Sequence, residues 1–524
     1  MRIYAGSDHA GFSLRKTLVE RLRSQGKDVV DVGTDSATAC DYPEFAYAVA
    51  SKVRSNPGAL GILVCATGQG MAMSAGKVRG IRAVAPFTVE GARLSRIDNN
   101  ANVLCLAGRM LSEADALAMV DTWLATSFAG GRHARRIAKV AAIETASAVA
   151  FLTDSERLRL AAHGFPSKLF DRDLSLFQAH RLDPGKLDWV RLPQETADKL
   201  PEITSFAEHV RKARLKDAVL LFDEGEAAPA SLCPAWGTAG MRLHVVCAGA
   251  SESLAAVEET VHLDSTLVLT ISTAPDMGKD LQAKEQRLWS RMLDHCLGNA
   301  QQAGQHFAAV TTAGAGIGRV AESHRYAKVF VDPPSVGGFG ALGFAGLVPA
   351  MLAGLDPARL LAKAIAMADA CRAQRLEDNP GASLGILLGS MAKHGRYKLT
   401  VLASKSFEPM VQWISLLLTR ATGEPGRGIM VSSGESLQPS YPADRIFVHL
   451  QTPEDPLAIP QESMEALHIA GQPYIQIIAA DKLELAAEIF RWQVAATVAA
   501  LVLGENPFAT RAACTVGDSG QSVV

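Results

Sequence analysis

The sequence predicts an α/β protein built from parallel sheets, and three observations support that prediction. The chain has 524 residues, which corresponds to about three folding units at roughly 100–200 residues per domain. Short apolar runs alternate with segments of helical periodicity, the pattern of repeated strand–helix units. Hydrophobic residues make up 48% of the chain and charged residues 20%, as in globular proteins rather than disordered or fibrous ones.

Residues 1–150 show the clearest alternation of strands and helices. The predicted strands lie at 2–6, 28–32, 61–65, 82–85 and 102–107. The predicted helices lie at 11–25, 44–53, 70–77, 88–95 and 112–123. This order predicts a Rossmann-like parallel sheet with helices on both faces, whose ligands bind at the carboxyl ends of the strands.

Residues 127–155 mix small residues with arginine and histidine, and we predict a tail and linker there. A first domain of residues 1–150 is then followed by a second at 156–524. In the second domain, strands are predicted at 243–247, 266–271, 307–311, 328–331, 398–402, 445–450 and 474–478, and long helices at 355–373 and 483–503. This pattern predicts two further α/β lobes, roughly 156–350 and 351–524.

Charge and cysteine content exclude several classes of function. The formal net charge is −2, unlike that of a general nucleic-acid binder. Residues 1–150 carry 18 basic and 13 acidic residues, whereas the remainder has an acidic excess, so an anionic ligand suits the first domain. Eight cysteines without C-x-x-C spacing predict reduced thiols in a cytoplasmic protein, with neither a metal site nor a disulfide framework.

One uncharged segment, residues 333–355, is long enough to suggest a membrane span. Six glycines and three prolines fall within it, which suits a buried loop that enters a core helix better. The chain also begins without the hydrophobic region of a signal peptide. We therefore expect no membrane partner.

Three clusters of polar and glycine residues coincide with predicted loops of the first domain. They are GSDHAG at 6–11, CATGQGM at 65–71 and GGRHARR at 130–136. The backbone N–H groups of the second cluster precede a helix and can hold an oxyanion or phosphate. As the first residue of this cluster, Cys65 would gain thiolate character and could abstract a proton from the carbon next to a carbonyl. Thr67 could move a proton between the substrate oxygens. Arg132 and Arg136 offer guanidinium groups to a phosphate.

Each of these features also has a purely structural interpretation. A cysteine that ends a buried strand most often packs in the core, and a glycine turn before a helix is often only a tight turn. Asp8 and His9 are equally suited to cap a helix, and paired arginines are usually solvated. Because the clusters coincide at one edge of one predicted sheet, we favour a functional site.

Residues 1–140 resemble the family of type B ribose-5-phosphate isomerases and galactose-6-phosphate isomerases. The resemblance rests on GSDHAGF at 6–12, DVGT at 31–34, DYPEFA at 41–46, GILVCATGQGM at 61–71, KVRGIRA at 77–83, NNANVLCLAGR at 99–109 and GGRHARR at 130–136. It implies an aldose–ketose isomerase that uses neither a cofactor nor a metal and works through a cis-enediolate.

The same resemblance implies roles for individual residues. Cys65 would be the catalytic base and Thr67 its partner acid. The anion-holding loop would be formed by Ala66, Thr67, Gly68, Gln69 and Gly70. The sugar oxygens and phosphate would be bound by Asp8, His9, Asn99, Arg132 and Arg136. The site of this family lies between subunits, so a homodimer is the minimum unit expected.

The sequence departs from the family pattern at the position of Asp98, where the family usually has the histidine that opens the furanose ring. Asp98 can serve as the acid or base of that step, or it can indicate an open-chain substrate such as a four-carbon sugar phosphate. Ala66 and Gly76 replace the usual glycine and asparagine. Ribose 5-phosphate and ribulose 5-phosphate are the expected pair, with a tetrose or hexose phosphate as the alternative.

Residues 160–510 resemble glucose-6-phosphate isomerases, particularly the copy that is fused to transaldolase. The matching stretches are FVDPPSVGGFGALGFAGLVPAMLAGLD at 330–356, NPGASLGILLGSMAKHGRYKLTVL at 379–402, WISLLLTRATGEPGRGI at 413–429 and FRWQVAATVAALVLGENPF at 490–508. The resemblance implies two sugar-isomerase lobes, each a parallel sheet flanked by helices.

The active-site positions of that second family are changed in this chain. Glu252 lies in the phosphate loop at 248–253. Asp276 is the last residue of the loop at 271–276, which lacks the lysine of the family. The remaining changes are Phe339 for an arginine, Arg420 for the catalytic glutamate, and no lysine at 515–518. Because a guanidinium cannot accept a proton at neutral pH, we predict a catalytically impaired domain that is structural or regulatory. The alternative is a bifunctional enzyme that also isomerises glucose 6-phosphate.

Overall fold

A computed structural model describes most of the chain. The described residues are 1–177, 184–222, 240–247, 253–273, 276–334, 337–423, 428–432, 441–456, 459, 463, 467 and 472–508, with the side chains of 142 and 145–151 left out. Two compact units are present, the first built on Met1–Ala148 and the second beginning at Val149. Each unit has its own parallel sheets.

The first unit is a five-stranded parallel sheet covered by helices. Its strands are β1 (Arg2–Ser7), β2 (Asp28–Asp31), β3 (Leu60–Cys65), β4 (Ala83–Val84) and β5 (Val103–Ala107). Its helices are α1 (Phe12–Ser24), α2 (Tyr42–Ser55), α3 (Gln69–Ala75), α4 (Val89–Ile97) and α5 (Glu113–Ala125). The strand order is β2-β1-β3-β5-β4, and every neighbouring pair runs parallel. The predicted α/β class and parallel sheet are confirmed for this unit.

Alternate residues of the central strand β3 pack on opposite faces of the sheet. Ile62 and Val64 share a core with side chains of α1, α4 and α5. Leu63 and Cys65 share a second core with α2 and α3. All six residues of β3 are buried, which is why this strand reads as a continuous apolar run rather than an alternating one.

The strand register aligns three chain segments at the carboxyl edge of the sheet. Ser7 of β1 pairs with Val64 of β3, so the next residue, Asp8, follows at the level of Cys65. Cys65 in turn pairs with Ala107 of β5. The carboxyl ends of β1, β3 and β5 therefore meet at one place, as the sequence predicted.

A tight turn between β1 and α1 packs directly on β3. It is a single turn of 3-10 helix at His9–Gly11. A side-chain carbon at Gly11 would lie 2.3 Å from the carbonyl oxygen of Val64. Glycine is required here because the backbone of the turn has to approach the strand this closely.

The boundary predicted at residues 127–155 contains the division between the two units, at Ala148 and Val149, but the predicted tail and linker is helical. Arg132–Ala162 forms one continuous helix, α6. The many alanines that suggested an unstructured connection are the strongest helix formers. The GGRHARR cluster was expected on a loop, but only Gly130 and Gly131 lie before the helix, both with positive φ. Arg132 is the first residue of α6.

The second unit contains two parallel sheets. Its strands are β6 (Asp217–Phe222), β7 (Arg242–Cys247), β8 (Thr266–Ile271), β9 (Phe307–Thr311), β10 (Lys328–Val331), β11 (Lys398–Ala403), β12 (Met430–Ser432), β13 (Arg445–Gln451) and β14 (Tyr474–Ile478). The strand orders are β10-β9-β8-β6-β7 and β12-β11-β13-β14. The seven strands expected from the sequence are present, whereas β6 and β12 were missed.

Helices flank these two sheets. They are α7 (Ser167–Phe170), α8 (Leu192–Asp198), α9 (Leu200–Lys212), α10 (Ser253–Thr260), α11 (Lys279–His295), α12 (Ala300–Gly304), α13 (Gly316–Ser323), α14 (Phe344–Leu352), α15 (Pro357–Ala370), α16 (Pro380–Lys393), α17 (Glu408–Thr422) and α18 (Leu485–Leu503). One extensive hydrophobic core includes residues from both sheets and from α14–α18.

Two apolar segments of the second unit are core helices. The uncharged segment at 333–355 contains α14, which has nine residues and is almost entirely buried. Among the described residues, Lys482–Leu503 is long and apolar enough to cross a membrane. However, 89% of its most apolar window is buried inside the protein, as in the central helix of a globular core.

We expect Gly11→Ala to destabilise the first unit. The added carbon would collide with the Val64 carbonyl, and relief of such overpacking costs about 1–3 kcal/mol of unfolding free energy. Gly76→Ala is the matched control, because Gly76 has a helical φ of −64° and its nearest neighbour is the carbonyl one turn back. Urea denaturation of both variants tests this, and equal midpoints would contradict the role given to Gly11.

Candidate active site

A buried thiol lies at the carboxyl end of β3. Cys65 is only 4% exposed, and its Sγ accepts a hydrogen bond from the backbone N–H of Gly68 at 3.2 Å. Gly68 adopts a φ of +73° at the start of α3, a conformation that glycine reaches without strain. This contact fixes the position of the sulfur at the start of the loop.

Backbone hydrogen bonds from the end of β5 hold the chain on either side of this thiol. The Gly108 N–H donates to the carbonyl of Cys65 at 2.8 Å, and the Arg109 N–H donates to the carbonyl of Ala66 at 3.1 Å. Ala66 is half-buried between these contacts. The loop is therefore fixed by the same strand that pairs with β3.

The remainder of the loop presents a hydroxyl and free backbone amides. Thr67 is exposed, and its Oγ1 accepts from the Gln69 N–H at 3.4 Å, which leaves the hydroxyl proton available for donation. Gly70 packs against Tyr42, since a side-chain carbon there would lie 2.8 Å from the ring. In the first turn of α3 the N–H groups of Gly70 and Met71 have no partner within the helix itself, whereas that of Gln69 donates to Thr67.

Asp8 and His9 lie beside this loop, at the end of β1. Asp8 is 5% exposed, and its Oδ1 accepts from the Gly11 N–H at 3.0 Å. This contact is the helix-capping arrangement that the sequence left open. The Nδ1 of His9 lies 3.2 Å from the backbone nitrogen of Cys40. Cys40 therefore holds one ring nitrogen and leaves Nε2 for a ligand.

A second group of predicted residues gathers where α4 ends and α6 begins. Asp98 caps the carboxyl end of α4, and its Oδ1 lies 3.6 Å from the Nε2 of His133. Arg132 donates from Nε to the same nitrogen at 3.1 Å. Asn99 follows Asp98 and is exposed. Arg136 is exposed one turn beyond Arg132, on the same face of α6.

His133 is a site residue that the sequence interpretation missed. It lies within the GGRHARR cluster, so the signal was present, but the partner of its side chain depends on the fold. Asp98 precedes it by 35 positions, and only the packing of α6 beside the end of α4 brings the two together.

Within the described part of the chain, no hydrogen bond or ion pair joins the two groups. The first contains Asp8, His9, Cys65, Ala66, Thr67, Gly68 and Gly70. The second contains Asp98, Asn99, Arg132, His133 and Arg136. Each group is built locally, one at the sheet edge and the other at the ends of two helices.

A second thiol lies close to Cys65 and has different properties. Cys105 of β5 is completely buried. Burial, and to a lesser degree the neighbouring Cys65, raises the pKa of the Cys105 thiol well above its usual range. Cys105 therefore remains a neutral core residue, whereas Cys65 borders the loop.

Metal-ligand geometry is not found among the described residues. No group of three or more His, Cys, Asp and Glu side chains in that part of the chain is placed to hold a metal ion. Six cysteines of the described residues are reduced thiols: Cys40, Cys65, Cys105, Cys247, Cys296 and Cys371.

In the second unit, Phe339 is part of an aromatic core. It is 2% exposed, with its ring centroid 5.1 Å from that of Trp189 and 5.2 Å from that of Phe508. Arg420 is half-buried on α17. The Asp276 side chain is largely exposed, 3.8 Å from Arg319. The predicted positions at 248–252, including Glu252, and those at 274–275 and 515–518 lie outside the described residues.

A parallel α/β sheet that presents a thiol, a hydroxyl and free amides at its carboxyl edge defines a site for proton transfer on a small anionic substrate. The chain belongs to the ribose/galactose isomerase family, whose sequence profile matches residues 3–140. The first unit is thereby identified as an isomerase domain of this family.

Individual relatives match the same part of the chain. The probable ribose-5-phosphate isomerase B of Mycoplasma genitalium is 44% identical over 140 residues, which are 26% of this chain and 92% of the relative. Ribose-5-phosphate isomerase B of Escherichia coli is 41% identical over 143 residues, 27% of this chain and 96% of the relative. By their names these relatives are aldose–ketose isomerases, so the predicted class of enzyme is confirmed at the level of the family.

Solved structures match both parts of the chain. The Mycoplasma genitalium enzyme with bound ribulose 5-phosphate is 42% identical, covering 26% of this chain and 93% of that one, with a TM-score of 0.26. A hypothetical protein from Thermus thermophilus is 21% identical, covering 67% of this chain and 92% of that one, with a TM-score of 0.57. A match of that extent shows that the second unit shares its fold with a solved protein.

We expect iodoacetamide at about pH 8 to leave Cys105 unmodified in the folded protein, because alkylation requires the thiolate and burial raises the pKa of this thiol. Half-buried Cys40 is the internal control and should be modified in the native chain. Peptide mass spectrometry before and after unfolding in urea measures both. Modification of native Cys105 at the rate seen for Cys40 would contradict the burial of Cys105 in β5.

Proposed function

We propose that the protein is an aldose–ketose isomerase of a phosphorylated sugar, with ribose 5-phosphate and ribulose 5-phosphate as the substrate pair. The reaction takes place in the first unit by proton transfer through an enediolate. The observation that carries this proposal is the Cys65 sulfur, held 3.2 Å from the Gly68 N–H at the carboxyl edge of the sheet. Relatives named for this reaction, one of them 44% identical over this unit, support the choice of sugar.

The proposed reaction moves one proton between adjacent carbons. The Cys65 thiolate removes a proton from the carbon next to the carbonyl, and the electron pair of that C–H bond forms the enediolate. The first-turn amides beside Gly70 stabilise the negative oxygen. The Thr67 hydroxyl passes a proton between the two oxygens, and Cys65 returns its proton to the neighbouring carbon. One carbon is oxidised and the other reduced, so the reaction balances without a cofactor.

The remaining polar groups are proposed to bind the substrate. Asp8 and the free Nε2 of His9 lie at the carboxyl edge and suit the sugar hydroxyls. Arg132 and Arg136 suit the phosphate, which guanidinium groups bind in a bidentate manner. Because no described contact joins the arginines to the Cys65 group, we propose a homodimer or larger oligomer in which they complete the site of the partner subunit.

We further propose that the second unit is catalytically impaired and acts in assembly, in stabilisation or in binding a regulatory ligand. The support is Phe339, which occupies the position of a phosphate-binding arginine and lies in an aromatic core. The resemblance to glucose-6-phosphate isomerases suggests sugar-isomerase lobes. We also propose a cytoplasmic location, which suits a protein with reduced thiols.

A tetrose phosphate is the second candidate substrate, and the geometry of Asp98 favours it. The carboxylate lies 3.6 Å from His133, whose nitrogen also accepts from Arg132. Asp98 stands where the family usually has the histidine that opens the furanose ring, so that histidine is absent here. A four-carbon sugar phosphate forms no furanose ring through its phosphorylated terminus and needs no such donor.

Cys65→Ala should lower turnover of ribose 5-phosphate by about 10²–10⁴-fold, the usual contribution of a catalytic base. Cys105→Ala is the matched control, because it removes the neighbouring buried thiol and leaves the loop intact. A coupled assay on the full chain measures both variants. Wild-type turnover by Cys65→Ala in a folded protein would refute the proposed base.

The same Cys65→Ala chain separates the bifunctional alternative from an impaired second unit. Turnover of glucose 6-phosphate that persists in this variant would arise outside the Cys65 site. We expect none above background.

Asp98→Asn distinguishes the two candidate substrates. If Asp98 opens the sugar ring, turnover of ribose 5-phosphate should fall by about 10²-fold, while that of open-chain erythrose 4-phosphate should change little. Kinetics on a panel of four-, five- and six-carbon sugar phosphates provide the measurement. Equal losses on all substrates would argue against a ring-opening role, and a wild-type preference for erythrose 4-phosphate would favour the tetrose.

A further inference from the structure

A second cavity lies at the amino edge of the sheet in the first unit. Its volume is about 380 Å³, within the range of small-molecule sites. It opens where β3 begins at Leu60 and where Asn102 precedes β5. The six residues of β3 separate it from Cys65 by about 17 Å, so it is distinct from the candidate active site.

Four arginines line this cavity, and they fall into two pairs. The positive charge of Arg54 acts on Arg79, and that of Arg96 acts on Arg82. Burial, and then the charge of Arg54, lowers the pKa of Arg79. Burial lowers the pKa of Arg82, the charge of Glu144 raises it, and the smaller effect of Arg96 lowers it. None of the thirteen lining residues, all of them described, is acidic. The lining of the cavity therefore concentrates positive charge, which suits an anionic ligand.

Two of these guanidinium groups are held in place by the backbone. Arg82 donates from Nε to the Asn100 carbonyl at 2.7 Å, and Arg96 donates to the Ala101 carbonyl at 2.7 Å. The Arg96 guanidinium also lies 5.3 Å from the ring centre of Trp123, and its buried Nε has no hydrogen-bond partner in the described structure. Each guanidinium has five N–H groups, so these contacts leave donors for a ligand.

Glu144 lies next to the cavity and acts there as an anion. Its carboxylate accepts from the Gly80 N–H at 3.0 Å, and Gly80 lines the cavity. The charge of Glu144 also acts on Arg79 and Arg82. An incoming phosphate would compete with this carboxylate for the same positive groups.

We propose that this cavity binds a small molecule that carries two phosphate groups, one for each pair of arginines. Guanidinium groups bind phosphate oxygens in a bidentate manner, and two pairs match two phosphates better than one. The bound ligand competes with the Glu144 carboxylate, whose charge acts on Arg79 and Arg82. The proposal does not depend on the reaction at Cys65.

Isothermal titration calorimetry of the full chain with pyrophosphate, inorganic phosphate and fructose 1,6-bisphosphate tests this site. We expect the two diphosphorylated probes to bind more tightly than inorganic phosphate, and the tighter of the two reports the spacing of the phosphates. Arg54→Gln should weaken binding of both by about tenfold, the effect of one lost charged hydrogen bond. Arg93→Gln is the matched control, because exposed Arg93 pairs with Glu90 and does not line the cavity.

Glu144→Gln is expected to have the opposite effect on binding. It tests directly whether the Glu144 carboxylate competes with the bound phosphate. Removal of the carboxylate should tighten pyrophosphate binding, whereas a merely structural Glu144 would leave it unchanged or weaker. All variants are repeated in an Arg132→Gln, Arg136→Gln background, which removes the proposed phosphate contacts of the active site. Loss of all binding in that background would overturn the proposal. So would an affinity for inorganic phosphate equal to that for the diphosphorylated probes, or an Arg54→Gln variant that binds these probes like the wild type.

Discussion

The parallel pairing of β1, β3 and β5 is the constraint on which the first unit depends. It brings the end of each strand to one edge, where Asp8 and Cys65 become neighbours although 57 positions separate them. The turn after β1 can follow this register only because Gly11 allows its backbone to lie against Val64. The loop after Cys65 is then fixed by amides from β5. Site geometry is therefore a consequence of strand register rather than of the loops alone.

Much of this arrangement could be predicted because it depends on local patterns. Continuous apolar runs in the sequence predicted the buried strands, and glycines before helices predicted the loops at the carboxyl ends of those strands. The alanine-rich part of α6 was misread, since small residues suit a flexible connection and a helix alike and only helix propensity separates the two. β6 is six residues long and equally apolar, and it was missed although Asp223 and Gly225 follow it as a turn signal.

Contacts between distant segments could not be predicted. Asp98 was considered only as a replacement for a histidine, whereas in the fold it meets His133 of α6. The pairing depends on how α6 packs beside the end of α4, and no spacing in the sequence reports it. The four arginines of the amino-edge cavity come from the ends of α2 and α4 and from the loop between α3 and β4, and for the same reason no motif identified them.

Helix α6 connects the two charged regions of the first unit. Arg132 and His133 lie in its first turn, and Glu144 follows about 18 Å further along the axis. The first turn meets Asp98, while Glu144 holds the Gly80 amide. The phosphate contact proposed for Arg132 and the competition proposed for Glu144 therefore depend on the packing of one helix.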